Sequence, residues 1–312
     1  MKQKVAVVIQ PGKLGDIIIT APIAEYYKKR GYQICWPVFS NFFETTKRLN
    51  KEFNVIDSGI RLPDEAYFGD KRLGFSLSFD QDGKLAYNSL PPQTKASISV
   101  FRELYTNYIP GLRSEHEEVL VLDCCTTLGQ QLEVATGWPG HDYEHHREFV
   151  DKFVSGADNR NWIDLRYYLS DVPLKERWNF KFTRDAKKEE ELLKFIKEYS
   201  REKYGSEDYT IVHNYQGKEL NFPIENQINF AYIEGYEIFD WLQVLQNAKK
   251  IVCVDSSLCN FVEVVPEFKD VDKVYLGSEE PYYHSYMRNI MLNNWTNMSQ
   301  EESLSYDGLQ DE

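Results

Sequence analysis

The sequence has no long apolar run, and no stretch approaches the roughly 20 residues that a membrane-spanning helix requires. The apolar run at residues 5–10 is also too short for a secretory signal, and it leads directly into a turn. We therefore expect a soluble cytoplasmic protein without a transmembrane segment.

The sequence has few cysteines and no Cys-x-x-Cys pair. The five cysteines are an odd number, which argues against a disulfide framework. Most of them stand in apolar runs, and we interpret them as small buried residues.

Two common nucleotide-binding motifs are absent. The chain contains neither the dinucleotide pattern GxGxxG nor the phosphate-loop pattern GxxxxGK[ST] at the expected places. A nicotinamide-dependent oxidoreductase is therefore poorly supported, and we expect no bound cofactor.

The 36 Lys and Arg residues are too few to balance the 49 Asp and Glu residues, and the net charge is −13. This balance argues against a general nucleic-acid or anionic-membrane binder. The charge is uneven, because residues 1–110 carry 15 basic and 11 acidic side chains, whereas the rest carry 21 and 38. The first part could tolerate an anionic partner, or the asymmetry could reflect solvated acidic faces alone.

What is present is an alternation of strands and helices. Three predicted strands, 5–10, 32–38 and 53–57, are separated by helical stretches, and another strand follows at 119–123. A second series predicts a long helix closed by Gly205, then strands at 209–213, 230–233 and 250–254. We predict an α/β protein with two Rossmann-like, doubly wound lobes at 1–165 and 166–297, followed by an acidic, disordered tail at 298–312.

The first candidate site is the segment VAVVIQPGKLGDIIITAP at residues 5–22. In doubly wound sheets, ligands bind outside the carboxyl ends of strands, where loops meet helix N-termini. Gly12, Lys13 and Gly15 would bring backbone close to a ligand, and Asp16 would point into that crevice. The alternative is that Asp16 only stabilises the helix dipole.

The second candidate site follows the apolar run at 250–254. Ser256 and Ser257 stand at the start of the next helix, where hydroxyl and backbone N–H groups suit a phosphate or diphosphate. Asp255 beside them could accept hydrogen bonds from sugar hydroxyls. The alternative is an ordinary helix cap made by Ser256.

A third candidate site follows the strand at 209–213. Its loop contains Gly217 and Lys218, which suit phosphate neutralisation, and the strand end should face the same crevice as Asp255. A solvated loop lysine is the alternative.

Together these segments resemble the heptosyltransferase-like family of glycosyltransferases, which have the two-lobed GT-B fold. The resemblance rests on GDIIITAP at residues 15–22 and on VDSSL at residues 254–258, and it covers about 4–31 and 209–265. The chain departs from the family at Asn260, where a histidine is usual, and at residues 276–279, which replace a Gly-Pro-Thr-type segment.

The resemblance implies transfer of a sugar from a nucleotide-sugar donor to the hydroxyl of a glycan or lipid-linked glycan, in a cleft between the lobes. It implies that Asp16 is the general base on the acceptor hydroxyl. The donor diphosphate would be held by Lys218, Ser256 and Ser257, and the donor sugar by Asp255, without a metal ion.

Two other functions remain open at this point. The chain could be a non-catalytic nucleotide- or glycan-binding protein, or a glycosyltransferase that modifies a nucleic-acid base. The segment HDYEHH places His141 and His145 four residues apart, but it lacks the HExxH order, and we favour acceptor-lining or solvated imidazoles over a zinc site.

Overall fold

The computed structural model describes residues 3–62, 92–124, 162–214, 224–277 and 294–299. The described residues up to Lys181 form one compact unit, and those from Phe182 onward form a second. The division thus falls later than the boundary we placed after residue 165. The reason is the helix Trp162–Leu169, which packs against the N-terminal helix of the first unit.

The first unit contains a parallel sheet of four strands: β1 (Lys4–Ile9), β2 (Gln33–Val38), β3 (Asn54–Asp57) and β4 (Glu118–Asp123). Their order across the sheet is β3-β2-β1-β4. Val5 of β1 lies beside Gln33 of β2 and Val119 of β4. Because β1 lies between two strands and is buried from Val5 to Ile9, its sequence reads as one apolar run.

Within its described residues, this unit has the α-helices α1 (Leu14–Lys28), α2 (Phe43–Lys47), α3 (Pro92–Glu103), α4 (Ile109–Glu115) and α5 (Trp162–Leu169). A π-helical turn joins α3 to α4. Residues 95–108, for which the sequence predicts a helix, are therefore part of a longer helical segment. Helix α1 continues through Pro22 without interruption.

The second unit contains a parallel sheet of five strands: β5 (Thr210–His213), β6 (Gln227–Asn229), β7 (Lys250–Val254), β8 (Asp272–Gly277) and β9 (Trp295–Ser299). Their order is β6-β5-β7-β8-β9. A cluster of buried side chains from β5, β7 and β8 forms the core on this sheet: Val212, Val252, Val254, Val274 and Leu276. The α-helices described in it are α6 (Ala186–Tyr204), α7 (Leu242–Asn247) and α8 (Ser257–Val264).

Helix α6 begins and ends where its sequence predicts. The Asp185 carboxylate accepts a hydrogen bond from the Lys188 N–H at 3.2 Å, which caps the N-terminus. Gly205 adopts φ of 72° at the C-terminus, where its N–H donates to the Arg201 carbonyl. A side chain with a Cβ disfavours that left-handed conformation, so glycine ends the helix there.

The strand predicted at 230–233 is wrong, since β6 ends at Asn229. The Phe230 N–H still donates to the Val212 carbonyl at 2.7 Å, and the ladder then stops. The ring of Phe230 packs against His213 and Trp241 instead, with centroids 5.2 and 4.8 Å apart. An aromatic residue with high strand propensity is therefore used to pack rings at the strand end.

The predicted start of a disordered tail at residue 298 is also wrong. Strand β9 pairs with β8 through Ser299, with Met298 beside Leu276. Its sequence, WTNMS, is polar and lacks the apolar run that marks the central strands. Residues 300–312 lie outside the described part of the chain. Within the residues described, no helix is long and apolar enough to cross a membrane.

Candidate functional site

Each sheet has one position where the strand order reverses. In the first unit this position lies between β1 and β4, and in the second it lies between β5 and β7. The connections that leave two such strands go in opposite directions, which opens a crevice at the carboxyl edge of the sheet. Ligands of doubly wound proteins bind at these places. The candidate residues after β1, β5 and β7 all follow strands that border them.

Gly12 lies in the loop that leaves β1, and its backbone is buried. A Cβ atom at this position would lie 2.6 Å from Cδ2 of Phe42, closer still to its Cε2, and 2.9 Å from Cδ2 of Phe39. Both rings are fully buried. The lack of a side chain at Gly12 therefore makes room for these rings, and close approach of its backbone to a ligand stays a prediction.

Asp16 stands in the first turn of α1, after the half-buried residues Lys13 and Gly15. Its side chain keeps 28% of its surface exposed, and Oδ1 lies 2.6 Å from a guanidinium nitrogen of Arg166. Lys13 stands at the N-cap, where its side chain does not cap the helix. The carboxylate is thus held mainly by an arginine that comes from a helix 150 residues away in sequence.

Helix α5 brings Arg166 to this position. The hydroxyl of the buried Tyr167 donates to the Ile19 carbonyl of α1 at 3.0 Å. The Tyr27 hydroxyl donates to the Ser170 carbonyl, directly after α5, at 2.7 Å. Two buried hydrogen bonds thus fix α5 against α1. The sequence alone did not identify Arg166, because it stands in the aromatic stretch NWIDLRYYL at residues 161–169, a composition that is typical of core packing or of rings that stack on sugars.

The switch point of the second unit brings His213 to Ser256. His213 ends β5, and its Nδ1 lies 2.9 Å from Oγ of Ser256, which follows β7. Ser256 also caps α8, since its Oγ accepts a hydrogen bond from the Cys259 N–H at 3.2 Å. We expected the end of this strand to face the same crevice as Asp255, but we assigned no role to His213.

His213 is buried, with 8% of its surface exposed. Burial lowers the pKa of its imidazole from 6.5 to about 4, because a charged ring would lose its hydration. The imidazole is therefore neutral at pH 7, with one nitrogen as donor and the other as acceptor. Such a ring can orient the Ser256 hydroxyl without adding positive charge.

Asp255, Ser256 and Ser257 are all partly exposed, whereas the residues that follow them in α8 are buried. The first turn of α8 directs backbone N–H groups outward beyond the carboxyl edge of the sheet. Asn260 is 5% exposed, and its side-chain amide donates to the Ser256 carbonyl at 3.0 Å. It acts within the helix and stabilises this same turn.

Several candidate residues lie outside the described part of the chain: Gly217, Lys218, His141, His145, Ser278 and Glu279. Residues 81–83, whose sequence Gln-Asp-Gly predicts a hairpin turn, lie outside it as well. Among the residues that are described, no group of three or more His, Cys, Asp or Glu side chains could hold a metal ion.

No protein-family profile and no curated protein matches the sequence. Among solved structures, the chain is similar to the glycosyl transferase family 9 from Veillonella parvula, at 10% identity and TM-score 0.47, over 95% of this chain and 86% of that one. It is similar to E. coli heptosyltransferase WaaC with ADP-2-deoxy-2-fluoro heptose, at 14% identity and TM-score 0.39, over 95% and 92%. It is also similar to E. coli ADP-heptose lps heptosyltransferase II, at 10% identity and TM-score 0.41, over 97% and 94%.

Proposed function

We propose that the protein is a glycosyltransferase that moves a sugar from a nucleotide-sugar donor to a hydroxyl of a glycan or lipid-linked glycan. The observation that carries the proposal is the placement of the candidate groups at two switch points. A carboxylate follows β1 in one sheet, and a serine-capped helix start follows β7 in the other. A transferase of this class requires one site for each of two substrates.

In this proposal Asp16 is the general base. The carboxylate accepts the proton of the acceptor hydroxyl while the hydroxyl oxygen bonds to the anomeric carbon of the donor sugar. The bond from that carbon to the diphosphate oxygen breaks, and the nucleoside diphosphate leaves with the electron pair. Asp16 is suited to this role because Arg166 contacts its Oδ1 while 28% of its side-chain surface stays exposed.

The donor is assigned to the second unit. Backbone N–H groups at the start of α8, together with Ser256 and Ser257, would bind the diphosphate. Lys218 would neutralise its charge, and Asp255 would accept hydrogen bonds from the sugar. With these donors around the leaving group, the mechanism that we propose uses no metal ion and no cofactor.

A first experiment tests ligand class. Thermal shift with a panel of nucleotide sugars and NAD(P) should give stabilisation by a nucleotide sugar, because a ligand that binds the folded state raises its stability. Stabilisation without release of nucleoside diphosphate would favour a non-catalytic binding protein. Turnover only with a modified nucleic acid as acceptor would favour the base-modifying alternative.

A second experiment tests the base. Asp16→Asn should leave donor binding intact and lower turnover by roughly 10²- to 10⁴-fold, the usual contribution of a positioned acid or base. Asp57→Asn is a matched control, because Asp57 ends β3 of the same sheet and accepts hydrogen bonds from Ser40 and from the Gly59 N–H. Turnover of Asp16→Asn close to that of the control would reduce Asp16 to a helix-stabilising residue.

A further inference from the structure

We propose that Arg166 is a positioning residue for Asp16, holding one carboxylate oxygen so that the other can accept the proton of the acceptor hydroxyl. The inference rests on the proposed function and assigns a role to a residue that has none in it. It is carried by the 2.6 Å contact between the guanidinium and Asp16 Oδ1.

The pair differs from an ordinary surface ion pair. Exposed pairs join long, mobile side chains in water and contribute little. Arg166 is only 13% exposed, so its guanidinium is largely enclosed by protein. A guanidinium stays charged at all relevant pH values and presents its donors in a rigid plane. A contact with such a group restricts the carboxylate to a small range of orientations.

The backbone that carries Arg166 is fixed by contacts of two residues that follow it, Tyr167 and Ser170. Tyr167 is 1% exposed and binds the Ile19 carbonyl, one turn beyond Asp16 in α1. Ser170, which follows α5, is bound through its carbonyl by the Tyr27 hydroxyl. Arg166 and Asp16 are therefore attached to two helices that are locked together. A positioning role requires this, because a group that moves cannot hold its partner in a productive orientation.

The contact with Arg166 still allows Asp16 to act as a general base. A carboxylate has two oxygens with about four lone-pair sites, so one arginine contact leaves acceptor capacity for a hydroxyl. Arg166 itself gains and loses no proton, and the proton taken from the acceptor resides on Asp16. Arg166 should therefore affect turnover only while Asp16 is present as a carboxylate.

This dependence gives the test, a double-mutant cycle of Arg166→Met with Asp16→Asn. The readout is release of nucleoside diphosphate from the nucleotide sugar that stabilises the wild type most, with water or an added glycan as acceptor. We expect Arg166→Met to lower kcat about 10- to 100-fold with little change in the donor KM. In the Asp16→Asn background the same substitution should change kcat less than twofold.

Two further variants separate positioning from folding. Arg166→Lys keeps the charge but loses the planar fork, and its kcat should lie between those of wild type and Arg166→Met. Added guanidinium should raise the kcat of Arg166→Ala severalfold and leave that of Arg30→Met unchanged. Arg30 is the matched control because it stands in the same unit on the ring of Tyr26, beyond the end of α1.

The outcomes are distinct. Equal losses from Arg166→Met in the wild-type and Asp16→Asn backgrounds would overturn the positioning role while leaving the glycosyltransferase proposal intact. A loss confined to donor KM would likewise overturn it, since Arg166 would then bind substrate. Wild-type protein that binds no nucleotide sugar and releases no nucleoside diphosphate would overturn both proposals.

Discussion

Replacement of Gly12 by alanine adds one methyl group at the most crowded point of the loop after β1. The new Cβ would lie 2.6 Å from Cδ2 of Phe42 and 2.9 Å from Cδ2 of Phe39. Carbon atoms in favourable contact are about 3.5–4.0 Å apart, so these rings must move by about 1 Å. Because both rings are fully buried, they have no open space into which to move.

The expected cost is that of overpacking a closed core, about 1–3 kcal/mol. Amide hydrogen exchange of peptides from β1 measures it, because a buried central strand exchanges through large-scale opening of its unit. A loss of that size corresponds to exchange about 5- to 150-fold faster.

Gly111→Ala is the matched control. Gly111 lies inside α4, and a Cβ atom there would meet nothing within 4 Å. Alanine stabilises a helix interior by about 0.5–1 kcal/mol relative to glycine, so this variant should slow exchange slightly. The two substitutions are identical in chemistry and should have opposite signs.

If amide hydrogen exchange in β1 of Gly12→Ala were as slow as in the wild type or slower, the expected overpacking against Phe39 and Phe42 would be refuted. If such a variant also lost affinity for nucleotide sugar or acceptor, Gly12 would have the ligand-approach role that the sequence alone indicated. Phe42→Leu offers a further check, since a smaller side chain should reduce the cost of the added methyl group in the double variant.

Three other predictions follow from the second unit. Because burial lowers the pKa of His213 to about 4, the unfolded chain binds one more proton than the folded chain between about pH 4 and 6.5. The free energy of unfolding should therefore fall by about 3 kcal/mol as the pH drops through that window. In the His213→Gln variant, the free energy of unfolding from urea denaturation should lack this pH dependence. Lys218→Ala should weaken the binding of nucleotide sugar and of nucleoside diphosphate alike by about 10- to 100-fold, whereas Asp255→Ala should weaken the binding of the nucleotide sugar only. Calorimetric titration measures both affinities. If Asp255→Ala lowered the two affinities equally, Asp255 would not have the proposed role of binding the sugar. Turnover should persist in excess EDTA. If EDTA abolished turnover, its recovery with Mg²⁺ would refute the metal-free mechanism, and its recovery with Zn²⁺ would implicate His141 and His145 as metal ligands.

Local patterns in the sequence predicted much of the secondary structure. The strand 250–254 has the bounds that we expected, and β1 begins one residue earlier and ends one residue sooner. Both lie between other strands, and burial on two faces forces a continuous apolar run. Helix α6 was equally clear, because Asp185 and Gly205 satisfy the exposed backbone groups of its two ends locally. Where such signals are weak, as in the polar edge strand β9, the prediction failed.

The candidate carboxylate and the serine pair were also found from sequence, because a strand followed at once by polar residues and a helix marks the carboxyl edge of a parallel sheet. The sequence alone could not identify their partners. Arg166 reaches Asp16 only through the packing of α5 on α1, and His213 reaches Ser256 only because β5 and β7 are neighbours. Gly12 owes its role to Phe42, thirty residues away. Helix caps and apolar runs depend on residues within a few positions of one another, so they can be predicted from the sequence. Contacts between distant residues depend on strand order and helix packing. Only the tertiary structure therefore decides which two side chains contact each other in the site.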